Sequence, residues 1–368
     1  MKTDRILIIN PFGIGDVLFT TPLIRRLRKQ FKDSFIGFIC NSRVEPILAS
    51  NKNLNEVFIF DRGDYKALWK KSKIKCIKNF FNFLKTIKSK RFDVVIDLSL
   101  GHQYSFFLKF LGVPVRIGYN FKNRGRFLTH KLNIDGYSNK HIVEYYLDLF
   151  DFLCKELNII PEKDVNKSLE IFIDTDRIKW AEEFLRENFI AATERLVAII
   201  PGGGASWGKA AIYKHWPAEN FAKVADELIN KYDFKVILLG GPDDLDICLD
   251  VSNLTYNKPA VICGKTDLLQ FASLVKKCRL VICNDGGPLH VAVGVGVKTV
   301  SLFGPVDENV YGPYPPNLDN IVMKKDIVCR PCYKRFKLQH CLERCCLSSI
   351  RPQDVIKAAT GLLDNGYK

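Results

Sequence analysis

The chain has 368 residues, which is long enough for two domains that each bury their own core. Hydrophobic residues make up 47% of it and charged residues 26%, as in globular proteins, and no apolar run reaches the roughly 20 residues that span a bilayer. A formal net charge of +15 predicts anionic partners: nucleic acid, a membrane face or a phosphorylated substrate. The first residues show no secretory pattern, so we expect a cytoplasmic protein.

The first half of the chain alternates apolar runs with helical patterns. The predicted strands are 5–10, 35–40, 56–60 and 94–98. A helix is predicted at 17–31, directly after the first strand and its loop. This alternation is typical of βαβ units on a parallel sheet. We expect a Rossmann-like, doubly wound N-terminal domain at 1–170.

A second alternation begins after the polar stretch 162–167, near a linker predicted at 160–175. Its short apolar runs suit strands that are buried on both faces. The predicted strands are 196–200, 235–239, 260–263 and 280–283, and the predicted helices are 177–188, 218–232 and 267–277. We expect a second doubly wound domain at 171–350 and a helix within 351–368 that packs back on the N-terminal domain. Open α/β sheets bind ligands beyond the carboxyl ends of their strands, so two facing sheets predict a cleft.

The loop after the first predicted strand contains Gly13, Gly15 and Asp16. Its glycines allow a tight turn and a close approach of other atoms to the backbone. Asp16 has two interpretations that do not exclude each other. It is either the N-cap of the following helix, or a catalytic carboxylate that stays anionic at a helix N-terminus and accepts a proton from an attacking hydroxyl group.

Three glycine-containing segments follow predicted strands of the second domain. They are 201–206 (with 214–217 before the next helix), 240–244 and 284–290. Glycines expose backbone N–H groups, and the third segment places them at a helix N-terminus, which is a ready anion site. Together the segments predict a site for a nucleotide diphosphate. The structural alternative is that the glycines only make turns, that Trp216 packs in the core and that His215 lies on the surface.

These segments carry the motifs of a known family, in order from about residue 5 to about residue 355. The motifs are Gly15-Asp16-Val17-Leu18 with Thr21-Pro22-Leu23, Pro201-Gly202-Gly203, Lys214-His215-Trp216-Pro217, Gly240-Gly241-Pro242, Asp285-Gly286-Gly287-Pro288-Leu289-His290 and Phe303-Gly304-Pro305. The set resembles glycosyltransferase family 9, the lipopolysaccharide heptosyltransferases. The resemblance implies a GT-B fold and inverting transfer of heptose from ADP-heptose to the inner core of lipopolysaccharide or a related lipid-linked glycan, with no cofactor required for catalysis.

The resemblance also implies roles for individual residues. Asp16 is the implied general base, Gly15 lies beside it on the acceptor side, and Lys214 is the implied catalytic cation that holds donor phosphate. The implied donor-binding residues are Gly203, Gly204, Ser206, Lys214, Gly241, Asp243, Asp285, Gly286, Gly287 and His290. The loop 202–213 is longer than in the heptosyltransferases, so Ser206 is a candidate on position alone.

Positive charge concentrates in two places in the first half. Residues 65–92 include ten basic side chains and no acidic one, interleaved with Trp69, Phe80, Phe81 and Phe83. One interpretation is a helix whose aromatic side chains face the core while its lysines face water. The other is a peripheral contact with the anionic inner face of the cytoplasmic membrane.

The second basic cluster contains Arg116, Arg124 and Arg126, with Lys122 and Lys131 nearby. We predict that it holds acidic sugars or phosphates of the anionic acceptor. No nucleic-acid-binding motif accompanies either cluster, so nucleic acid is not an expected partner.

Five of the twelve cysteines lie within 329–346. Thiolates at such spacing, in a reducing compartment, predict a structural zinc site with Cys329, Cys332, Cys341 and Cys345 as ligands; an iron–sulfur site is the less common choice. The alternatives are reduced thiols in a loop or a disulfide that forms on oxidation.

Two other functions remain open from the sequence. One is a GT-B transferase that uses a different nucleotide sugar. The other is a non-catalytic assembly protein that binds a nucleotide sugar or a membrane, against which the presence of Asp16 and Lys214 argues.

Overall fold

The computed structural model describes residues 3–162, 166–341 and 343–364, so part of the predicted polar stretch 162–167 and the last four residues lie outside the described part. The chain divides into two compact units, 1–167 and 168–368. Among the described helices, none combines the length and the apolar character that crossing a membrane requires.

The first unit is a parallel sheet with helices around it. Its strands are β1 (Arg5–Ile9), β2 (Phe35–Cys40), β3 (Glu56–Ile59), β4 (Val94–Asp97), β5 (Val115–Phe121) and β6 (His130–Ile134), in the order β3-β2-β1-β4-β5-β6. Its helices are α1 (Ile14–Leu18), α2 (Thr21–Gln30), α3 (Glu45–Ala49), α4 (Arg62–Lys71), α5 (Lys73–Ser89), α6 (Gln103–Phe110) and α7 (Ile142–Glu156). This is the doubly wound strand order of dinucleotide-binding folds, with its switch point between β1 and β4.

The predicted helix 17–31 is broken into α1 and α2, which corrects the sequence prediction. Pro22 has no backbone N–H to give to the carbonyl oxygen of Leu18, so a continuous helix would lose that bond. The hydroxyl group of Thr21 donates to the Leu18 oxygen instead, at 2.7 Å. The break leaves α1 as a short helix of its own beside the end of β1.

The predicted apolar strands of the first half are all present within a residue, whereas β5 and β6 were not predicted. In β6, half-buried side chains alternate with exposed ones, and β5 carries Arg116 and Asn120 between buried residues. Neither segment is a continuous apolar run, so the pattern used for the central strands could not find them.

The second unit repeats the same architecture. Its main sheet contains β7 (Leu196–Ile200), β8 (Lys235–Leu238), β9 (Ala260–Val261), β10 (Leu280–Asn284), β11 (Lys298–Leu302) and β12 (Asn320–Met323), all parallel, in the order β12-β11-β10-β7-β8-β9. Its helices are α8 (Thr175–Glu187), α9 (Ala218–Tyr232), α10 (Leu245–Leu254), α11 (Leu268–Lys277), α12 (Gly287–Gly294), α13 (Glu308–Tyr311), α14 (Cys345–Ser348) and α15 (Pro352–Asp364). Two 3₁₀ segments, Ala205–Lys214 and Pro242–Asp244, follow β7 and β8. The predicted α/β class with two doubly wound units is confirmed.

The C-terminal helix α15 packs within the second unit, so the prediction that it packs back on the N-terminal domain is wrong for the described residues. Val355, Ala359 and Leu362 are buried in the same core as Trp216. The Lys298 ammonium group also donates to the carbonyl oxygen of Leu362, at 2.8 Å. The apolar face of α15 therefore stabilises the sheet of this unit by being removed from water there.

The cysteine-rich segment 329–346 forms a small structure beside the second sheet. It contains an antiparallel hairpin of β13 (Tyr333–Lys334) and β14 (Lys337–Leu338) and ends in α14. The backbone N–H groups of Cys332 and Tyr333 both donate to the carbonyl oxygen of Pro305, each at 3.0 Å. The segment is therefore fixed to the loop that follows β11.

Candidate active site

In the first unit, Asp16 lies in α1, just past the carboxyl end of β1. The side-chain amide of Asn10 donates to the backbone oxygen of Asp16 at 3.0 Å and to the hydroxyl oxygen of Thr20 at 2.9 Å. The Thr20 hydroxyl group donates in turn to the same Asp16 oxygen at 3.0 Å. Asn10 and Thr20 are both fully buried. Two buried side chains thus fix the backbone from which the half-buried Asp16 carboxylate projects.

The N-cap interpretation of Asp16 is wrong. The N-cap of α1 is Gly13, with no side-chain capping bond, and Asp16 lies within the first turn. Its carboxylate is close enough to Tyr137 that its charge, after burial and the neighbouring tyrosines, helps to raise the pKa of that phenol well above its usual value. Gly15 precedes Asp16 in the same turn, and its carbonyl oxygen accepts from the N–H group of Phe19.

The three arginines predicted to hold the acceptor differ in what their side chains contact. Arg116 is near the amino end of β5, where its guanidinium group donates to the carbonyl oxygen of Phe127 at 2.7 Å and also to that of Val113. Arg116 therefore ties backbone segments together, and its predicted role in binding the acceptor stays a prediction. Arg124 and Arg126 are exposed in the turn after β5, over the rings of Phe121 and Phe127.

Asp97 is a buried carboxylate at the end of β4 that the sequence analysis did not single out. It pairs in register with Ile9, the last residue of β1. One carboxylate oxygen accepts from the N–H group of Ser99 at 2.9 Å, and the other has no hydrogen-bond partner among the described residues. Burial raises the pKa of Asp97 to about 6. Its sequence signal is a carboxylate at the end of an all-apolar strand beside the switch point.

In the second unit, the loops that follow β7 and β10 contain glycines, whose backbone is not covered by side chains. Gly203 and Gly204 have φ angles of 104° and 81°, a region that side chains with a Cβ rarely adopt. A Cβ on Gly286 would lie 3.4 Å from the backbone nitrogen of Gly204. The two glycine loops therefore touch, and α12 begins beside them at Gly287. Backbone N–H groups at a helix start favour an anion.

Asp244 holds two of the predicted glycine segments together. Its carboxylate accepts from the N–H group of Gly203 at 2.9 Å and from that of Gly241 at 2.9 Å. A Cβ on Gly202 would lie 2.2 Å from the same carboxylate, so only glycine fits there. Asp243, which the sequence analysis chose, is exposed on the 3₁₀ turn, and the turn directs the next residue inward instead.

Asn284 connects three segments that meet at the switch point between β7 and β10. Its side-chain oxygen accepts from the N–H group of Trp216 at 3.0 Å, and its amide group donates to the carbonyl oxygen of Pro201 at 2.6 Å. His215 is not a simple surface residue, because its Nε2 atom lies 2.8 Å from the carbonyl oxygen of Gly203. The loops after β7 and β10 are therefore fixed by buried polar contacts.

Two predicted site residues of this unit, Lys214 and Asp285, form a buried ion pair. The Nζ atom of Lys214 lies 2.7 Å from a carboxylate oxygen of Asp285, and their side chains are 9% and 4% exposed. The same Nζ atom lies 4.2 Å from the centre of the Trp207 ring. A buried charge requires a partner, since leaving one alone costs about 3–5 kcal/mol. Asp285 therefore holds Lys214 in place beside the glycine loops.

The remaining predicted donor residues divide into two groups. His290 is 3% exposed within α12, next to the glycine loops at its start. Ser206 is exposed on the 3₁₀ segment, and no side-chain hydrogen bond among the described residues orients it toward Lys214. Besides Asp97, sequence reasoning missed Asp244, which follows a glycine-containing run, and Asn284, which ends an apolar run. It also missed Trp207, whose ring lies beside the ammonium group of Lys214 and which has no local sequence signal.

Comparison with known proteins shows which family the chain belongs to. Residues 80–343 match the family described as glycosyltransferase family 9 (heptosyltransferase). The chain belongs to glycosyltransferase family 9. It is 26% identical, over 95% of each chain, to lipopolysaccharide heptosyltransferase 3 of Escherichia coli K12. It is therefore a glycosyltransferase, and the predicted family is confirmed.

Solved structures of the family have the same fold. A family 9 glycosyltransferase from Veillonella parvula matches with a TM-score of 0.80 at 27% identity, covering 99% of this chain and 98% of the other. The ADP-heptose lipopolysaccharide heptosyltransferase II of Escherichia coli matches with a TM-score of 0.76 at 20% identity, covering 99% of this chain and 100% of the other. The predicted GT-B fold class is confirmed.

We expect Asp244→Ala to lower the free energy of unfolding by about 1–2 kcal/mol, because two loop N–H groups lose their acceptor. Donor affinity should fall with it, since Gly203 and Gly241 no longer hold one geometry. The matched control is Asp243→Ala, which removes an exposed carboxylate from the same turn and should change stability by less than about 0.5 kcal/mol. Urea unfolding of both variants checks this; equal losses in the two would contradict the assignment.

Proposed function

We propose that this glycosyltransferase moves heptose from ADP-heptose to the inner core of lipopolysaccharide, or to a related lipid-linked glycan. The observation that carries the proposal is the buried Lys214–Asp285 pair beside the touching glycine loops of the second unit. It agrees with the family match and with the heptosyltransferases that the chain resembles. A transferase that uses another nucleotide sugar is the alternative outcome of the test below.

The second unit supplies what a departing diphosphate requires. Lys214 carries three N–H donors, so it can bind phosphate oxygen while it remains paired with Asp285. The N–H groups at Gly286 and Gly287 begin α12, whose N-terminus adds partial positive charge. Asp285 is occupied by Lys214, so we assign it to positioning that cation rather than to contact with phosphate. Such fixed electrostatic stabilisation is usually the largest single catalytic contribution.

The first unit supplies the base. Asp16 accepts the proton of the attacking acceptor hydroxyl group while the acceptor oxygen bonds to the anomeric carbon and the bond from that carbon to the diphosphate oxygen breaks. The backbone of Asp16 is fixed by Asn10 and Thr20, which prepares the carboxylate for this step. Arg124 and Arg126, both exposed, are the candidates for acidic groups of the acceptor.

We expect Asp16→Asn to lower turnover by about 100-fold or more while the Kd of ADP-heptose stays within twofold, because the amide cannot accept the proton. Release of ADP in the presence of a heptose-deficient core acceptor measures turnover, and calorimetry measures donor affinity. Asp135→Asn, which changes an exposed carboxylate of the same unit, is the matched control.

Full turnover of Asp16→Asn would remove Asp16 from the role of base. A thermal-shift panel of nucleotide sugars tests the donor, since a ligand that binds only the folded chain raises its melting temperature. Transfer from a different nucleotide sugar in place of ADP-heptose would select the alternative function.

We also propose that α4 and α5 bind the anionic inner face of the cytoplasmic membrane. Phe80 and Phe83 pack inward against Phe107 and Phe60, as the structural interpretation requires. The exposed side of α5 also carries apolar side chains, of which Ile74 is 81% and Phe81 63% exposed. The surrounding basic residues are Lys66, Lys70, Lys71, Lys73, Lys75, Lys78, Lys85 and Lys88. Exposed apolar side chains amid lysines are typical of an interfacial helix.

We expect the chain to co-sediment with vesicles that contain anionic lipid and not with neutral ones, because each basic residue near the surface contributes roughly 1 kcal/mol. Phe81→Ser should weaken the binding at low and at high salt. The control is Phe189→Ser, an exposed phenylalanine of the second unit. Equal binding to neutral vesicles, or no effect of Phe81→Ser, would count against this surface.

A structural zinc ion at the cysteine-rich segment remains a proposal. Cys329, Cys332, Cys341 and Cys345 line one cavity of about 320 Å³, which fits the thiol chemistry of zinc. No three described side chains of His, Cys, Asp or Glu converge on a metal-binding geometry, so binding would draw the thiols closer together. The ion would stabilise the segment.

Metal analysis of the purified protein should find about one zinc ion per chain, since four thiolates saturate its preferred tetrahedral geometry. The double variant Cys329→Ser with Cys332→Ser should lose the ion. Cys76→Ser, which changes a thiol of the first unit, should keep it. A wild-type chain without metal would leave the cysteines as reduced thiols.

A further inference from the structure

The 3₁₀ segment that ends in Lys214 contacts the cysteine-rich segment 329–346 at two points. The ring of Trp207 lies against the ring of Tyr333, with centres 4.7 Å apart and planes 34° from parallel. The guanidinium group of Arg344 donates to the carbonyl oxygen of Ile212 at 2.9 Å. One contact thus lies near each end of the 3₁₀ segment, so the cysteine-rich segment braces the loop that carries Lys214.

The cysteine-rich segment is itself fixed to the chain that follows β11. Arg330 donates to the carbonyl oxygen of Gly304 at 2.7 Å and to that of Val306 at 3.1 Å, and it pairs with Glu308 at 2.6 Å. The guanidinium group of Arg330 is only 5% exposed. Together with the bonds from Cys332 and Tyr333 to Pro305, these contacts hold Tyr333 in a defined position.

The 3₁₀ segment needs such support because its own backbone is irregular. Gly208 interrupts the helical geometry with φ 55° and ψ −130°. Asp285 contacts the Lys214 ammonium group on one side. The lysine side chain has several rotatable bonds, so a single contact does not fix its conformation. The Trp207 ring covers the ammonium group from another side, and a cation over an indole face is attracted most strongly when water is excluded.

We propose that Trp207 and Tyr333 are positioning residues for Lys214, so that the cysteine-rich segment sets the affinity of the site for the diphosphate of the donor. Tyr333 orients the Trp207 ring, and the ring holds the Lys214 ammonium group where it meets phosphate oxygen. This inference rests on the proposed role of Lys214 in donor binding.

The test compares the binding of ADP and of adenosine by calorimetry, because only ADP carries the phosphates that Lys214 holds. Trp207→Leu and Tyr333→Ala should each raise the Kd of ADP about tenfold and leave the Kd of adenosine unchanged. Trp207→Phe and Tyr333→Phe keep an aromatic face and should restore most of the affinity. The matched control is Trp180→Leu, which removes another tryptophan of the same unit from its contact with Phe184.

The variants are repeated on Lys214→Ala, where Trp207→Leu should raise the Kd of ADP no further, because the two changes remove one interaction. The KM of the donor should rise in Trp207→Leu while that of the acceptor stays constant. If Lys214→Ala leaves the Kd of ADP unchanged, the proposed donor site fails. If Lys214→Ala weakens ADP but Trp207→Leu and Tyr333→Ala do not, or if they weaken adenosine equally, the positioning role alone is overturned.

Discussion

The site of the second unit depends on the ion pair between Lys214 and Asp285. Both side chains are nine-tenths buried or more, so each charge is stable there because the other neutralises it. The pair joins the loop that follows β7 to the loop that follows β10, two strands that lie side by side at the switch point. Because Asp285 already neutralises the lysine, the proposed diphosphate site relies on the backbone amides of Gly286 and Gly287 as much as on the side chain of Lys214.

Strand order explains why these loops meet. In each unit the first strand of the sheet lies beside the fourth, and their connections leave toward opposite faces, which opens a crevice at the carboxyl ends. In the first unit, Asp16 follows β1 and Asp97 ends β4 at that place. The glycines after β7 and Asp285 after β10 occupy the corresponding place in the second. The same topology thus presents carboxylates in one unit and glycine loops with a lysine–aspartate pair in the other, and the loop residues make the difference.

The sequence predicts what depends on local pattern and misses what depends on distant partners. Continuous apolar runs gave the central strands, whereas β5 and β6 carry polar side chains and escaped the same criterion. The break at Pro22 is visible in the sequence once the missing N–H group is considered. The choice between Asp243 and Asp244 is different, because both are acidic neighbours and only the 3₁₀ turn decides which reaches Gly203. The contact of Trp207 with Tyr333 joins residues far apart in the chain, and no local pattern indicates it.

The net positive charge of the chain lies away from the ion pair of the proposed donor site, on a surface that we propose binds a membrane. The buried cation of the donor site is matched by Asp285, so the net charge of +15 does not reside there. It resides on exposed lysines, many of them on α4 and α5, where the only acidic side chain is Asp64. At the proposed donor site, a neutral ion pair and fixed amides would recognise phosphate by geometry and respond weakly to salt, whereas exposed lysines act over a screening length of about 8–10 Å. Salt should therefore distinguish the two partners: raising it weakens contact with an anionic surface well before it weakens the nucleotide site.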